Sequence, residues 1–278
     1  MGSIIKTALV IIKLVIPFYI LADVLIYFHV LEHMSFLFKP FTFILGFDDK
    51  LALSLAAGML FNIYAGIAFA APLNLNPYEW TALGLFMGIA HALPVENAIM
   101  KKLGISVLYS TVLRISVATL AVYIFKLFNF NFSGGAVSKN IEISHYNSFF
   151  DMLLHSVYNA SILALKIIVL ISVIIIFMDF IKAKFFKDKN ISSHFSIVTG
   201  LILGITYGAG ILIKEKEKLS KKDILFIGTF LMICHSVIED TALFAIFGAS
   251  IWILISIRLI LAIIISFLVV KLYNKSNF

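Results

Sequence analysis

His91-Ala92-Leu93-Pro94-Val95-Glu96 and His235-Ser236-Val237-Ile238-Glu239-Asp240 are two versions of one stretch, 144 residues apart, each inside an apolar run long enough to cross a bilayer. The same shift places Ala65-Gly66-Ile67 on Ala209-Gly210-Ile211, Gly84 on Gly228, Phe86 on Phe230, Gly104 on Gly248 and Arg114 on Arg258, with no gap between Gly66 and Arg114. Leucine and isoleucine coincide by chance in any apolar chain. Histidine, glycine and arginine recurring at one offset inside membrane segments seldom do. The chain therefore reads as two structural repeats, an organisation that in membrane proteins usually belongs to transporters.

Composition sets the class. With 62% hydrophobic residues, 13% charged residues and a mean hydropathy of +1.06 over 278 residues, the chain has too few polar groups to cover a soluble surface. At least six runs approach the roughly 20 residues a helix needs to span a bilayer, and the short alternating segments of a β-barrel are missing. An all-α polytopic membrane protein with the lipid bilayer as its partner follows. The net charge of +7 sits in short lysine clusters between apolar runs, the pattern of orientation signals, so no nucleic-acid partner is expected. The lone Cys234 rules out an intrachain disulfide and reads as a small apolar residue. The run Ser3 to Val30 carries Lys13 and Asp23 and is too long for a signal peptide, so it is expected to stay as the first span.

In chain order, spans are expected at about 4–30, 79–100, 105–127, 150–181, 223–246 and 249–270, with Met34 to Phe47 lying in the interface. The organisation is a first repeat over 1–128, a polar connecting loop at 129–148 with Gly134-Gly135, and a second repeat over 149–278. Two glycine-interrupted runs remain, Leu51 to Leu73 and Phe195 to Ile213. Lysines flank the second on both sides: Lys182, Lys184, Lys187 and Lys189 before it, Lys214, Lys216, Lys218, Lys221 and Lys222 after it. If that run crossed the membrane, one cluster would lie outside, against the positive-inside bias. A re-entrant hairpin removes the conflict, with Gly200, Gly204, Gly208 and Gly210 supplying flexible backbone. Treating Leu51 to Leu73 alike gives six full transmembrane helices plus two re-entrant hairpins, inverted repeats, and both termini in the cytoplasm. Fourteen lysines then lie inside and four (Lys39, Lys50, Lys126, Lys139) outside. The alternative, eight spans with parallel repeats, balances charge less well.

Ionisable groups at mid-bilayer cost about 2.5 kcal/mol or more each and so face a cavity or a partner. Around the turns at Gly104 and Gly248, Glu96 meets Arg114 and Asp240 meets Arg258 at comparable depth, which predicts two structural ion pairs between adjacent spans. His91 and His235, at equivalent positions of inverted repeats, converge near the pseudo-two-fold axis. Pro94 predicts a kink in the His91 segment. His235 and Glu239 share a helix face, whereas His91 and Glu96 do so only if the helix opens at Pro94. Asn62 and Tyr64 in one hairpin, Thr206 and Tyr207 in the other, are candidates to present polar groups toward the midplane; the glycines there also suit close helix packing. The substrate- or ion-binding candidates are thus His91, Glu96, His235, Glu239, Asp240, Asn62, Tyr64, Thr206 and Tyr207. Asp23 and Lys166 carry opposite charges in corresponding spans and either pair or place Lys166 in an aqueous cleft. His29-Val30-Leu31-Glu32-His33 fits a zinc-peptidase pattern, but five residues at a span end with no downstream ligand do not make an enzyme.

The stretches Gly58 to Gly66, His91 to Asn97 and His235 to Ala242 resemble the nucleoside-recognition, or Gate, domain membrane proteins, over roughly 51–125 and 195–269. Related Gate units occur in spore maturation proteins A and B and in the membrane part of ferrous iron transporter B. The resemblance implies inverted repeats with hairpins and a transport role, while the family name does not establish that nucleosides bind.

The expectation is a secondary transporter in the cytoplasmic membrane of a prokaryote. It moves a small polar or ionic solute (a nucleoside, a divalent metal or an organic anion) through a midplane site between the repeats. No catalytic residue and no cofactor is expected, a metal ligand set is left open, and a homodimer is an option by analogy. The alternative is a non-transporting component that assembles with partner proteins.

Overall fold

A computed structural model describes residues 2–30, 42–128, 146, 148–185 and 193–276. Glu32 and His33, most of the interface stretch 34–47, the loop 129–145, and Lys187 and Lys189 lie outside these residues. The described residues form helices with no strand. They are α1 (Gly2–Tyr27), α2 (Ala52–Leu60), α3 (Ile63–Ala70), α4 (Pro77–Ala90), α5 (Leu93–Leu103) and α6 (Val107–Leu127). The second half holds α7 (Phe149–Phe185), α8 (Ser193–Leu203), α9 (Ile205–Glu215), α10 (Lys221–Ile233), α11 (Val237–Ala245) and α12 (Ile251–Ser276). Among the described residues six segments are long and apolar enough to cross a membrane: α1, α4 with α5, α6, α7, α10 with α11, and α12.

The 144-residue shift carries the starts of α4, α5 and α6 onto those of α10, α11 and α12. Local sequence explains this. Asn76 and Glu79 form a capping box at the start of α4, and Ser220 and Asp223 form its counterpart at α10. Gly104 (φ 90°) and Gly248 (φ 89°) end α5 and the turn after α11 in the left-handed region, where a Cβ is strained.

Contacts across the seam fix the relative direction of the repeats. Pro77, at the start of α4, packs on Gly248, and Thr81 Oγ1 accepts from the Ser250 amide (2.9 Å). Further along, Gly84 meets Leu254 and Gly88 meets the Arg258 guanidinium, so α4 and α12 run parallel. At the other end, Gly228 packs on Ile105 and Met100, and Thr229 bonds Tyr109 (2.8 Å), so α10 runs parallel to α6. Within the first repeat α4 is antiparallel to α6, as the Tyr78–Phe125 and Ile89–Arg114 contacts show. Helices α4 and α10, equivalent in sequence, therefore point in opposite directions, and the repeats are inverted.

The two glycine-interrupted runs are re-entrant hairpins. Ser54 Oγ donates to the Gly66 carbonyl (2.8 Å), and Gly66 lies against Gly58, folding α3 back on α2. Helices of nine and eight residues are about 12–14 Å long, less than half of the hydrocarbon thickness. Gly204 (φ 96°) makes the corresponding break between α8 and α9, where Gly200 meets the Gly208 backbone. Neither run crosses, so the eight-span alternative does not hold.

The broken spans α4–α5 and α10–α11 are the enclosed centre of the bundle, while α1, α6, α7 and α12 expose apolar flanks such as Leu165 and Trp252. The seam is sealed unequally at its two ends. Trp80 stacks on Phe247 (4.1 Å, 17°) beside Pro77 and Gly248. The pseudo-symmetric end, where Leu103 and Ile224 replace those rings, holds a cavity of about 490 Å³ lined by Gly104, Ser106, Tyr109, Lys221 and Tyr273. Asp23 does not pair with Lys166: it is buried and accepts from Ser156 Oγ on α7, whereas Lys166 is exposed. The reason is rotational, because Ser156 lies on the face that α7 turns toward α1 and Lys166 does not.

Candidate functional site

Both central spans open one residue past the histidine. Helix α4 ends at His91 (ψ 164°, extended), Ala92 is left-handed (φ 47°, ψ 36°), and α5 begins at Leu93. In the second repeat α10 ends at Cys234, Ser236 is left-handed (φ 46°, ψ 34°), and α11 begins at Val237. Pro94 is not the cause of the break, since it fits within the first two positions of α5 and the second repeat breaks with no proline there. What holds the break open is the hairpin: the Ala92 amide donates to the Gly58 carbonyl (2.9 Å) and the Ser236 amide to the Gly200 carbonyl (3.2 Å). A side chain at either glycine would press on a neighbour, Met87 at Gly58 and Leu231 at Gly200, so the close approach depends on their lack of one.

A helix broken in a membrane leaves carbonyls without partners and the negative end of its dipole exposed. The arginines supply what is missing. Arg114 Nε donates to the Ile89 carbonyl (2.6 Å) and Nη2 to the His91 carbonyl (2.7 Å); Arg258 Nη2 donates to the His235 carbonyl (2.7 Å). The expected ion pairs are present too, Arg114 Nη2 to Glu96 Oε2 at 2.8 Å and Arg258 Nη2 to Asp240 Oδ2 at 3.1 Å. Each arginine is thus a helix cap as well as an ion-pair partner. The capping role escaped sequence reasoning, which took the His91 span as kinked at Pro94 and the His235 span as one continuous helix.

The histidines converge. Their rings lie 5.3 Å apart, centroid to centroid. His91 Nδ1 contacts the Met87 carbonyl (2.7 Å) and His235 Nδ1 the Leu231 carbonyl (2.8 Å). A carbonyl only accepts, so each Nδ1 carries the proton, and in the neutral ring Nε2 presents its lone pair. Both Nε2 atoms face one oxygen, Glu96 Oε1, at 3.2 Å from His91 and 3.3 Å from His235. His235 Nε2 is buried and makes no hydrogen bond of acceptable geometry among the described residues, despite that short distance. The three side chains are almost fully enclosed, at 8%, 6% and 1% exposure for His91, Glu96 and His235.

The repeats depart from symmetry around this centre. Glu239 does not share a face with His235, because the break at Ser236 separates their helices. It instead accepts from Tyr64 Oη on the first hairpin (2.7 Å). The equivalent pair is Gly208 and Val95, so a tyrosine–carboxylate contact on one side corresponds to two apolar positions on the other. Asn62 caps α3 by accepting from the Ala65 amide (3.0 Å). Thr206 and Tyr207 begin α9, with side chains outside the described set. Asn97, not among the candidates, ties α5 to α6 through Thr111 (2.7 Å) and Ser110 (2.5 Å). His29 is exposed at the end of α1, away from this centre.

Fold and site together define an integral membrane protein of inverted helical repeats with a buried, charged centre where two broken spans meet. The chain is 26% identical over 284 residues to the uncharacterized membrane protein YvoD of Bacillus subtilis (strain 168), covering 95% of this chain and 90% of the relative. No family model and no solved structure matches it.

Proposed function

We propose that the protein is a secondary transporter whose solute site lies at the midplane between the inverted repeats. The observation that carries this reading is the meeting of His91, His235 and Glu96 at the point where both central spans break. Discontinuous helices with polar backbone at mid-depth are how many carriers hold ions and small polar solutes. The unequal seam supports it: a stacked Trp80–Phe247 plug at one end and a cavity at the other describe a carrier closed more firmly on one side. Lysines 101, 102, 221, 222 and 271 gather at the cavity end, so that end is cytoplasmic in this reading, with both termini inside a prokaryotic inner membrane. The resemblance to Gate-domain proteins points the same way.

Uptake into proteoliposomes under a pH gradient tests the reading. Flux of at least one small polar or ionic solute is expected, reduced at least tenfold by His91→Ala with His235→Ala. Flux unchanged by the double substitution sinks the assigned roles. The alternative, a component that assembles with other membrane proteins, is favoured by one observation: both arginines are engaged in bracing helix ends. Native mass spectrometry from lipid separates the two, since obligate association with a different protein and no solute flux support the second.

A further inference from the structure

We infer that His91, His235 and Glu96 form a binding site for a divalent transition-metal ion, held by two imidazole nitrogens and one carboxylate oxygen contributed by both repeats. The inference deepens the transporter reading, in which this ion is the cargo.

Three observations converge on it. The three ligand atoms lie within 4.8 Å of one another, with edges of 3.2 and 3.3 Å from Glu96 Oε1 to the two nitrogens. Bonds of about 2.0–2.1 Å in a tetrahedron put neighbouring ligand atoms roughly 3.3–3.4 Å apart. The tautomers are also set correctly, because each Nδ1–H is held by a backbone carbonyl and each Nε2 is left to bind. Arg114 in turn fixes the carboxylate's second oxygen, the outer-shell support that metal ligands ordinarily receive. Finally, with both rings neutral, two lone pairs and a carboxylate oxygen face one another across the centre, and a cation between them would relieve that repulsion. Around these ligands Glu239 and Asp240 balance Arg114 and Arg258 in number, so the carboxylate of Glu96 is the one acid left over for the ion. Imidazole with carboxylate favours Zn²⁺, Mn²⁺, Fe²⁺ or Co²⁺ over Ca²⁺ or Mg²⁺, which prefer all-oxygen shells.

A proton shared between the imidazoles would relieve the same repulsion, and the experiment must distinguish it. The full chain in phosphatidylethanolamine–phosphatidylglycerol nanodiscs is titrated with Co²⁺, then with Zn²⁺ and Mn²⁺ in competition. One equivalent of Co²⁺ with a low-coordinate visible spectrum is expected, weakened at least tenfold by His91→Ala or by His235→Ala. Zinc-edge absorption of the wild type reads the ligands without any substitution, so a variant that fails to fold does not end the test; two imidazole scatterers are expected. Absence of stoichiometric metal on folded wild-type protein, or bound zinc without imidazole scattering, overturns the inference and leaves the proton. Metal bound without flux keeps the site and removes the transporter; flux of another solute by protein that binds no metal does the reverse.

Discussion

Glu96 and Asp240 occupy the same position in their repeats, yet only Glu96 reaches the histidines. One methylene separates them. Glu96 spans from Arg114 (2.8 Å) to both imidazoles (3.2 and 3.3 Å), while Asp240 contacts Arg258 (3.1 Å) and its own half of the centre. Glu96→Asp should therefore keep the arginine neutralised, costing under about 1.5 kcal/mol of stability, yet remove the bridge and lower metal affinity at least tenfold. Thermal unfolding and Co²⁺ titration on the same nanodisc sample check both halves of this statement.

Arg114 is fully buried and serves two helix carbonyls and a carboxylate. Arg114→Ala should destabilise the protein by about 3–5 kcal/mol, the scale of breaking a buried ion pair by removing one partner. Arg114→Lys should recover only part of the loss, because one ammonium cannot match the planar fork that reaches Ile89, His91 and Glu96 together. Denaturation in mild detergent would show it; equal stability of the lysine variant and wild type would count against the capping role.

The Tyr64–Glu239 contact joins the first hairpin to the second repeat. Tyr64→Phe leaves a half-buried carboxylate without this donor and should cost about 1 kcal/mol. Adding Glu239→Gln should cost much less than the sum of the two single changes, and a double-mutant cycle with no coupling would show that the contact is incidental.

Gly88 lies directly under the Arg258 guanidinium: a Cβ there would sit 2.8 Å from Nη1 and 3.0 Å from Cζ. Gly88→Ala should push Arg258 off the His235 carbonyl and destabilise the seam by about 1–3 kcal/mol, despite the better helix propensity of alanine. Gly210→Ala, where a Cβ meets nothing within 4 Å, is the matched control and should be near neutral.

Metal binding should depend on pH with a fixed sign. Protons compete for the Nε2 lone pairs, so affinity falls as the pH is lowered, by about tenfold per unit for each proton displaced. The charged and titratable groups around the imidazoles are Glu96 on α5, Arg114 on α6, Glu239 and Asp240 on α11, Arg258 on α12, Tyr64 on α3 and Cys234 at the end of α10. Isothermal titration between pH 5.5 and 8 checks the slope; affinity constant across that range would contradict ligation by histidine.

Sequence by itself determined the membrane class and the doubling at 144 residues, and it favoured the inversion that the seam contacts then fixed. Each follows from quantities that the chain carries locally: apolar run length, recurrence of His, Gly and Arg, and lysines that flank a glycine-rich run on both sides. The capping boxes at Asn76 and Ser220 are equally legible, as Asn-x-x-Glu and Ser-x-x-Asp ahead of apolar runs. The ion pairs at Arg114 and Arg258 also came from spacing, because a tight turn at Gly104 or Gly248 sets the residues eight before and ten after it at similar depth. Only the tertiary structure decided that both central spans are interrupted, rather than one kinked and one continuous, since the bonds that stabilise the break, Ala92 to Gly58 and Ser236 to Gly200, join residues more than thirty positions apart. It alone assigned Glu96 to both histidines and Glu239 to Tyr64. Helical periodicity relates residues along one continuous helix, and it loses that power where the helix opens and the partner arrives from the other repeat.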